Sequence, residues 1–172
     1  MAEEVTEKVP CYSVTREGVA KEVVLSEVVS PDDMWSTGGI KIIGLVGIRK
    51  IAEKEGIVEK KFEVSIQPTK GNKQQHGINI WVGFKGDSDP DNWRRGSGEA
   101  CEFNTGKIVE DKDKTRRYDP YGSVDSKYRL AMADKRAYCR AVLNMVSLYG
   151  IHAEVEAQEF ATGKSSISDL DY

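Results

Sequence analysis

The chain has little with which to do metal or redox chemistry. Its three cysteines, Cys11, Cys101 and Cys139, are odd in number and far apart. They form neither a CxxC pair nor a disulfide framework, which points to a reducing cytoplasm. The two histidines, His76 in a turn and His152 on a strand, offer no metal-ligand spacing. No apolar run approaches the ~20 residues that span a bilayer, and MAEEVTEKV does not read as a signal peptide. There is no GxxxxGK[ST], which excludes an ATP-driven mechanism built on a P-loop. What is present, 39% hydrophobic and 31% charged residues in 172, describes one soluble domain with a proper core, too short for two.

The net charge of −3 hides an uneven distribution. Residues 1–35 carry eight acids and three bases, and residues 141–172 carry five acids and one base. The middle, residues 36–140, carries fifteen acids and twenty-one bases. A basic middle between acidic ends can hold a polyanion while limiting indiscriminate binding.

Hydrophobic periodicity gives the order β-α-β-β-β-α-β. Residues 1–18 are polar and acidic and read as a flexible segment, and residues 19–29 read as a valine-rich strand. Leu45, Ile48, Ile51 and Ala52 share one face of a short helix closed by Gly56, with Trp35 before it as a core plug. A three-stranded meander follows. Phe62, Val64 and Ile66 alternate with polar residues, and Ile78, Ile80, Val82 and Phe84 point opposite to Trp81. The third strand is WRRGSGEACEF, whose glycines admit a close backbone approach. Residues 105–126 lose all periodicity and read as a hinge loop. Ile151, Ala153, Val155 and Ala157 alternate in a last strand, and residues 161–172 form an acidic tail. The fold class is α+β, with one domain over 19–160.

The helix over 127–150 organises the rest. Leu130, Ala137, Ala141, Met145 and Leu148 recur at helical spacing, and Tyr138, Val142 and Tyr149 widen the arc. At about 100° per residue, Arg129, Arg136 and Arg140 fall together, and Asn144 and Ser147 continue that polar line. This stripe reads either as an anion-binding ridge or as a solvated face. The apolar arc exceeds what one sheet needs, so a second covering surface is expected, with a neighbouring copy as the economical source. Asp134 points into that arc, where a carboxylate needs a basic partner or a subunit boundary.

Further basic groups accompany the stripe: Lys70 and Lys73 at a hairpin tip, Arg94 and Arg95 before the third strand, and Lys112, Lys114, Arg116 and Arg117 in the hinge with Tyr118 and Tyr121. Bases with interleaved aromatics suit a single strand, gripping phosphates while rings stack on bases. Asp87, Asp89 and Asp91 imitate half a calcium loop, but Asn92 and Gly98 stand where glycine and glutamate are required. Glu99 and Glu102 near Arg94 and Arg95 leave a metal-dependent nuclease as a minor alternative.

The segments IIGLVGIRKIAEKEGI, RRGSGEACEFNTG and AMADKRAYCRAVLNMVSLYG, with the meander between the first two, resemble the Rad52-type single-strand annealing superfamily, which includes the phage Sak-type recombinases and DdrA repair proteins. The similarity covers roughly residues 40–150. It implies a β-β-β-α core assembled into rings or filaments, a basic groove for single-stranded DNA, ATP-independent annealing in recombination and repair, and no cofactor. By that resemblance Arg136 and Arg140 are the first DNA contacts, then Arg129, with Lys135 a further candidate. Lys70 and Lys73 take the place of a duplex-contacting surface, and the tail SDLDY resembles a partner-recruiting tip. The rival reading is an oligomeric scaffold without a nucleic-acid role.

Overall fold

The computed structural model describes residues 9–37, 40–69, 73–100, 107–110, 112, 114, 116–119, 126–148 and 151–153. Among the described residues the architecture is α+β, with two α-helices and mostly antiparallel sheets. It is richer in strands than periodicity indicates. β1 (Cys11–Arg16) and β2 (Val19–Val24) form a hairpin, and β3 (Met34–Thr37) and β4 (Ile40–Ile43) form another. Then come α1 (Leu45–Glu55), the meander β5 (Ile57–Thr69), β6 (Lys73–Phe84) and β7 (Arg94–Ala100), and the small hairpin β8 (Lys107–Glu110) and β9 (Arg116–Asp119). The long helix α2 (Ser126–Met145) leads directly into β10 (Val146–Leu148) and β11 (Ile151–Ala153). No helix among the described residues is long and apolar enough to cross a membrane.

Several expectations are corrected. The flexible N-terminal segment extends too far, because β1 sits between β2 and β10 and buries Tyr12 and Val14. Tyr12 donates its hydroxyl to the buried Glu55 at 2.7 Å, and Arg16 donates to the Glu55 carbonyl. Burial first, and then that carboxylate, push the Tyr12 phenol above its ordinary pKa. The hinge contains the β8–β9 hairpin, whose short runs are too brief to show a period. Trp35 is 41% exposed on β3 and is no core plug. The long helix stops at Met145, and Val146–Leu148 pair with β1 instead of running helically to Gly150.

Two elements fold as their residues dictate. The apolar positions of α1 (Ile48, Ile51, Ala52) are fully buried, and Gly56, at φ 63°, closes the helix with its N–H bonded to Glu53 O at 3.1 Å. The meander pairs Ile57–Thr69 with Lys73–Phe84 and the latter with Arg94–Ala100, with a register shift between Glu59 and Lys61. Beyond it, even-numbered residues face α2: Ile78, Ile80, Val82 and Ala100 are at most 1% exposed.

α2 packs on β6 and β7. Its C-terminal half is mostly enclosed: Cys139 and Val142, with Val146 of β10, join one core with Tyr12, Val14, Leu25, Ile48 and Ile51, while Asn144 stays exposed. The second covering surface is therefore supplied for that half by the chain itself, through α1 and the β10–β1–β2 sheet. Asp134 does not point into the core. It is exposed, together with Lys135, on the outer side of the N-terminal half.

Candidate nucleic-acid interface

The glycines of β7 decide where α2 lies. A Cβ on Gly96 would collide with Ala137 O and Ala141 N, and one on Gly98 with Ala133 O and Ala137 N. Strand and helix backbones are thus in direct contact, with Ala133, Ala137 and Ala141 as the small residues opposite. At that distance the polar stripe of the helix reaches the outer edge of β7. Arg136 Nη1 donates to Glu99 O at 2.5 Å, Arg140 Nη1 to Ser97 O at 2.9 Å, and Asn144 Nδ2 to Arg95 O at 2.9 Å.

The match is metric. Side chains four apart on a helix rise by about 6 Å, and outward carbonyls two apart on a strand by about 6.8 Å. Helix and strand run in opposite directions, so each step up the stripe meets the next carbonyl down the strand. These carbonyls belong to an edge strand, where alternate backbone groups turn away from the sheet and need partners.

This corrects the first-ranked contact residue. Arg136 is only 2% exposed and donates to the strand, so its guanidinium does not face solvent as a ridge. Arg140 is half-buried in the same row, and Arg129 is half-buried with its Nε enclosed and unbonded. Lys135 is exposed. Arg94 is exposed but curls back, donating to Asp91 O at 3.3 Å and Trp93 O at 3.1 Å. Arg116 and Arg117 lie on β9 opposite Glu110 and Val109, and Lys73 opens β6 opposite Thr69. The side chains of these three, and the whole of Lys70, lie outside the described residues.

Arg95 is placed differently. Odd-numbered residues of the meander face away from α2, and register brings Lys61, Trp81 and Arg95 into one row across β5, β6 and β7. Arg95 Nε donates to Asn79 Oδ1 and Ser97 Oγ, both at 3.2 Å, and Nη2 to Ser97 Oγ at 3.1 Å. Ser97 Oγ in turn donates to Asn79 Oδ1 at 2.7 Å. Lys61 Nζ lies 4.6 Å from the Trp81 ring centre, and Arg95 Cζ 5.7 Å from it. The face is not uniformly basic. Lys61 also pairs with Glu63 at 2.7 Å, and Glu99, nearer the hairpin tip, accepts from Gln75 at 3.0 Å.

Trp81, Lys61, Asn79 and Ser97 escape a reading of the sequence as site residues. Alternation puts Trp81 on the polar side, but only register brings Arg95 beside it. The aspartates between β6 and β7 serve the turn: Asp87 Oδ1 accepts from Asp89 N at 2.9 Å and Asp89 Oδ1 from Asp91 N at 3.1 Å. Among the described residues no three His, Cys, Asp or Glu side chains gather as a metal site.

Comparison with protein-family models, with curated proteins and with solved structures gives no match to this chain.

Proposed function

We propose that the chain binds single-stranded DNA and anneals complementary strands without ATP, as a homo-oligomer. The observation that carries this reading is Arg95. It stands on the helix-free face of the meander, exposed, and is held in place by two neutral oxygens, Asn79 Oδ1 and Ser97 Oγ. Neutral partners fix a guanidinium without cancelling its charge, which leaves it pre-set for a phosphate. Lys61, in the same row and also paired with Glu63, is a second cation on this face.

Phosphate contacts of this kind position a strand without reading it. Base pairing then supplies both specificity and driving force, and no hydrolysis is needed. Assembly multiplies weak contacts along the strand. Support for assembly comes from β5, where Phe62, Val64 and Ile66 are 45%, 46% and 53% exposed on the side that faces α2 elsewhere in the sheet.

The test uses filter binding of oligo-dT across a salt series. Arg95→Ala combined with Lys61→Ala is expected to weaken binding and to make the salt slope shallower by about 0.7 per lost phosphate contact. Unchanged affinity and slope would remove this face from DNA binding. The scaffold reading is favoured by the same β5 stripe, and it predicts assembly with no affinity for oligo-dT at all.

A further inference from the structure

We propose that β5 pairs antiparallel with the β5 of a second copy of the chain, about a two-fold axis at Val64. The inference rests on the assembly half of the reading above and names the surface and register that carry it.

β5 has the length for such a contact, thirteen residues against six in β2 and four in β3, which also stand at sheet edges. The outer edge of β7 does not serve as its partner, because α2 side chains bind the carbonyls of Arg95, Ser97 and Glu99 there. A sheet with one open and one sealed edge joins a copy of itself open edge to open edge. That arrangement is a closed two-fold pair.

The same bonds fix which backbone groups β5 presents. Odd-numbered carbonyls leave β7 outward, so Gly96 turns its backbone groups toward Ile80, and Phe62, across from Ile80, turns its own away from β6. The outward N–H and C=O groups of β5 therefore belong to Phe62, Val64 and Ile66, and only slides of two residues keep such groups face to face. With the axis at Val64, Phe62 meets the partner's Ile66, and Val64 meets the partner's Val64. On the other face Glu63 meets the partner's Ser65 and Lys61 the partner's Gln67, so no like charges are opposed. The next slide one way sets Glu63 against the partner's Glu63. The next slide the other way sets Phe62 against the partner's Pro68, which has no N–H to give. With the axis at Val64, Pro68 instead falls opposite the partner's Lys60, the residue passed over where β5 shifts register. The pairing thus stops at both ends where the strands cannot continue it, and the exposed apolar stripe becomes continuous across the seam.

A two-fold axis of this kind stands perpendicular to the sheet and keeps like faces on one side. The two three-stranded meanders become one sheet of six strands. Both copies of α2 lie on one side, and both Arg95 side chains lie on the other. A single DNA strand crossing the open side can meet the cations of both copies, which multiplies weak contacts.

The experiment combines light scattering of the full chain with mild oxidation of single-cysteine variants at these exposed positions. At the axis, opposed Cα atoms lie about 5.5 Å apart, within reach of a disulfide. Val64→Cys is expected to run mostly as a dimer on a non-reducing gel, above the background set by the cysteines of the wild-type chain. Phe62→Cys and Ile66→Cys stay monomeric there when alone, and an equal mixture of the two gives the dimer. A link through Phe62→Cys alone but not through Val64→Cys overturns the pairing and leaves assembly intact. So does an oligomeric wild type that links through none of the variants. A wild-type monomer in light scattering overturns pairing and assembly together, and leaves β5 to a strand from another protein. A chain that links through Val64→Cys but ignores oligo-dT supports the pairing and overturns the nucleic-acid reading.

Discussion

The two edges of the meander are finished in opposite ways. Along β7 the outward carbonyls of Arg95, Ser97 and Glu99 are each met by a side chain of α2, and the backbones touch at Gly96 and Gly98. Along β5, a thirteen-residue strand, no described strand pairs with the outer edge, and Phe62, Val64 and Ile66 stay exposed. A helix about 10 Å across covers roughly two strands spaced about 4.8 Å apart. Close approach to β7 therefore leaves the third strand bare. The glycines that draw the helix onto one edge also uncover the other.

Such an asymmetry matters for assembly. A strand edge with apolar residues invites another chain, whereas an edge whose carbonyls are occupied does not. On the proposed assembly, growth through this sheet would be directed to β5, where the charged residues Glu59, Lys61 and Glu63 would restrain indiscriminate pairing.

The comparison breaks first at the sealed edge. Gly98→Val places a branched side chain against Ala133 O and Ala137 N, and the helix has no room to retreat without losing the whole row of contacts. A loss of about 3 kcal/mol or more is expected, read as a lowered midpoint in urea. A Gly98→Val chain as stable as the wild type would show that the backbone contact is not required.

Arg136→Met tests the same edge more gently. It keeps the bulk of the side chain but removes the donor to Glu99 O, at an expected cost of about 1–3 kcal/mol. Arg140→Met, half-buried, should cost less, and the order of the two urea midpoints checks this. On the proposed function, the same substitutions should lower DNA binding only as far as they loosen β7, whereas Arg95→Ala should lower it without a comparable fall in stability.

The smallest effect on stability is expected at the open edge. Val64→Lys changes an exposed position and should alter stability by no more than about 0.5 kcal/mol. Light scattering should nevertheless show a smaller particle, since the stripe is interrupted at its centre. Unchanged particle size would separate assembly from β5.

Legibility followed the range of the interactions involved. The short helix and its Gly56 stop, the first two strands of the meander and the alternation of Ile78, Ile80 and Val82 all depend on neighbours within a few residues, and they were readable. The stripe of Arg136, Arg140 and Asn144 was readable too, as a pattern. Its destination was not, because helical phase says which residues share a side and is silent on what lies across from them. Polar periodicity looked like a solvent-facing ridge, while the fold turned it onto orphan carbonyls of a strand some forty residues away. The strands β1, β3 and β10 were missed because their runs are short. Each is only three to six residues long, too short to show a period, and β10 pairs with β1 at the other end of the described chain.

By itself, then, the order of residues determined the helical and extended segments and their apolar sides, since those depend on local spacing and backbone preference. The tertiary structure alone decided which cations are committed to holding the sheet and which remain on an open face. It also decided that Lys61, Trp81 and Arg95 stand in one row. Register between strands and the approach of two backbones are set by contacts between distant residues, and no local pattern contains them.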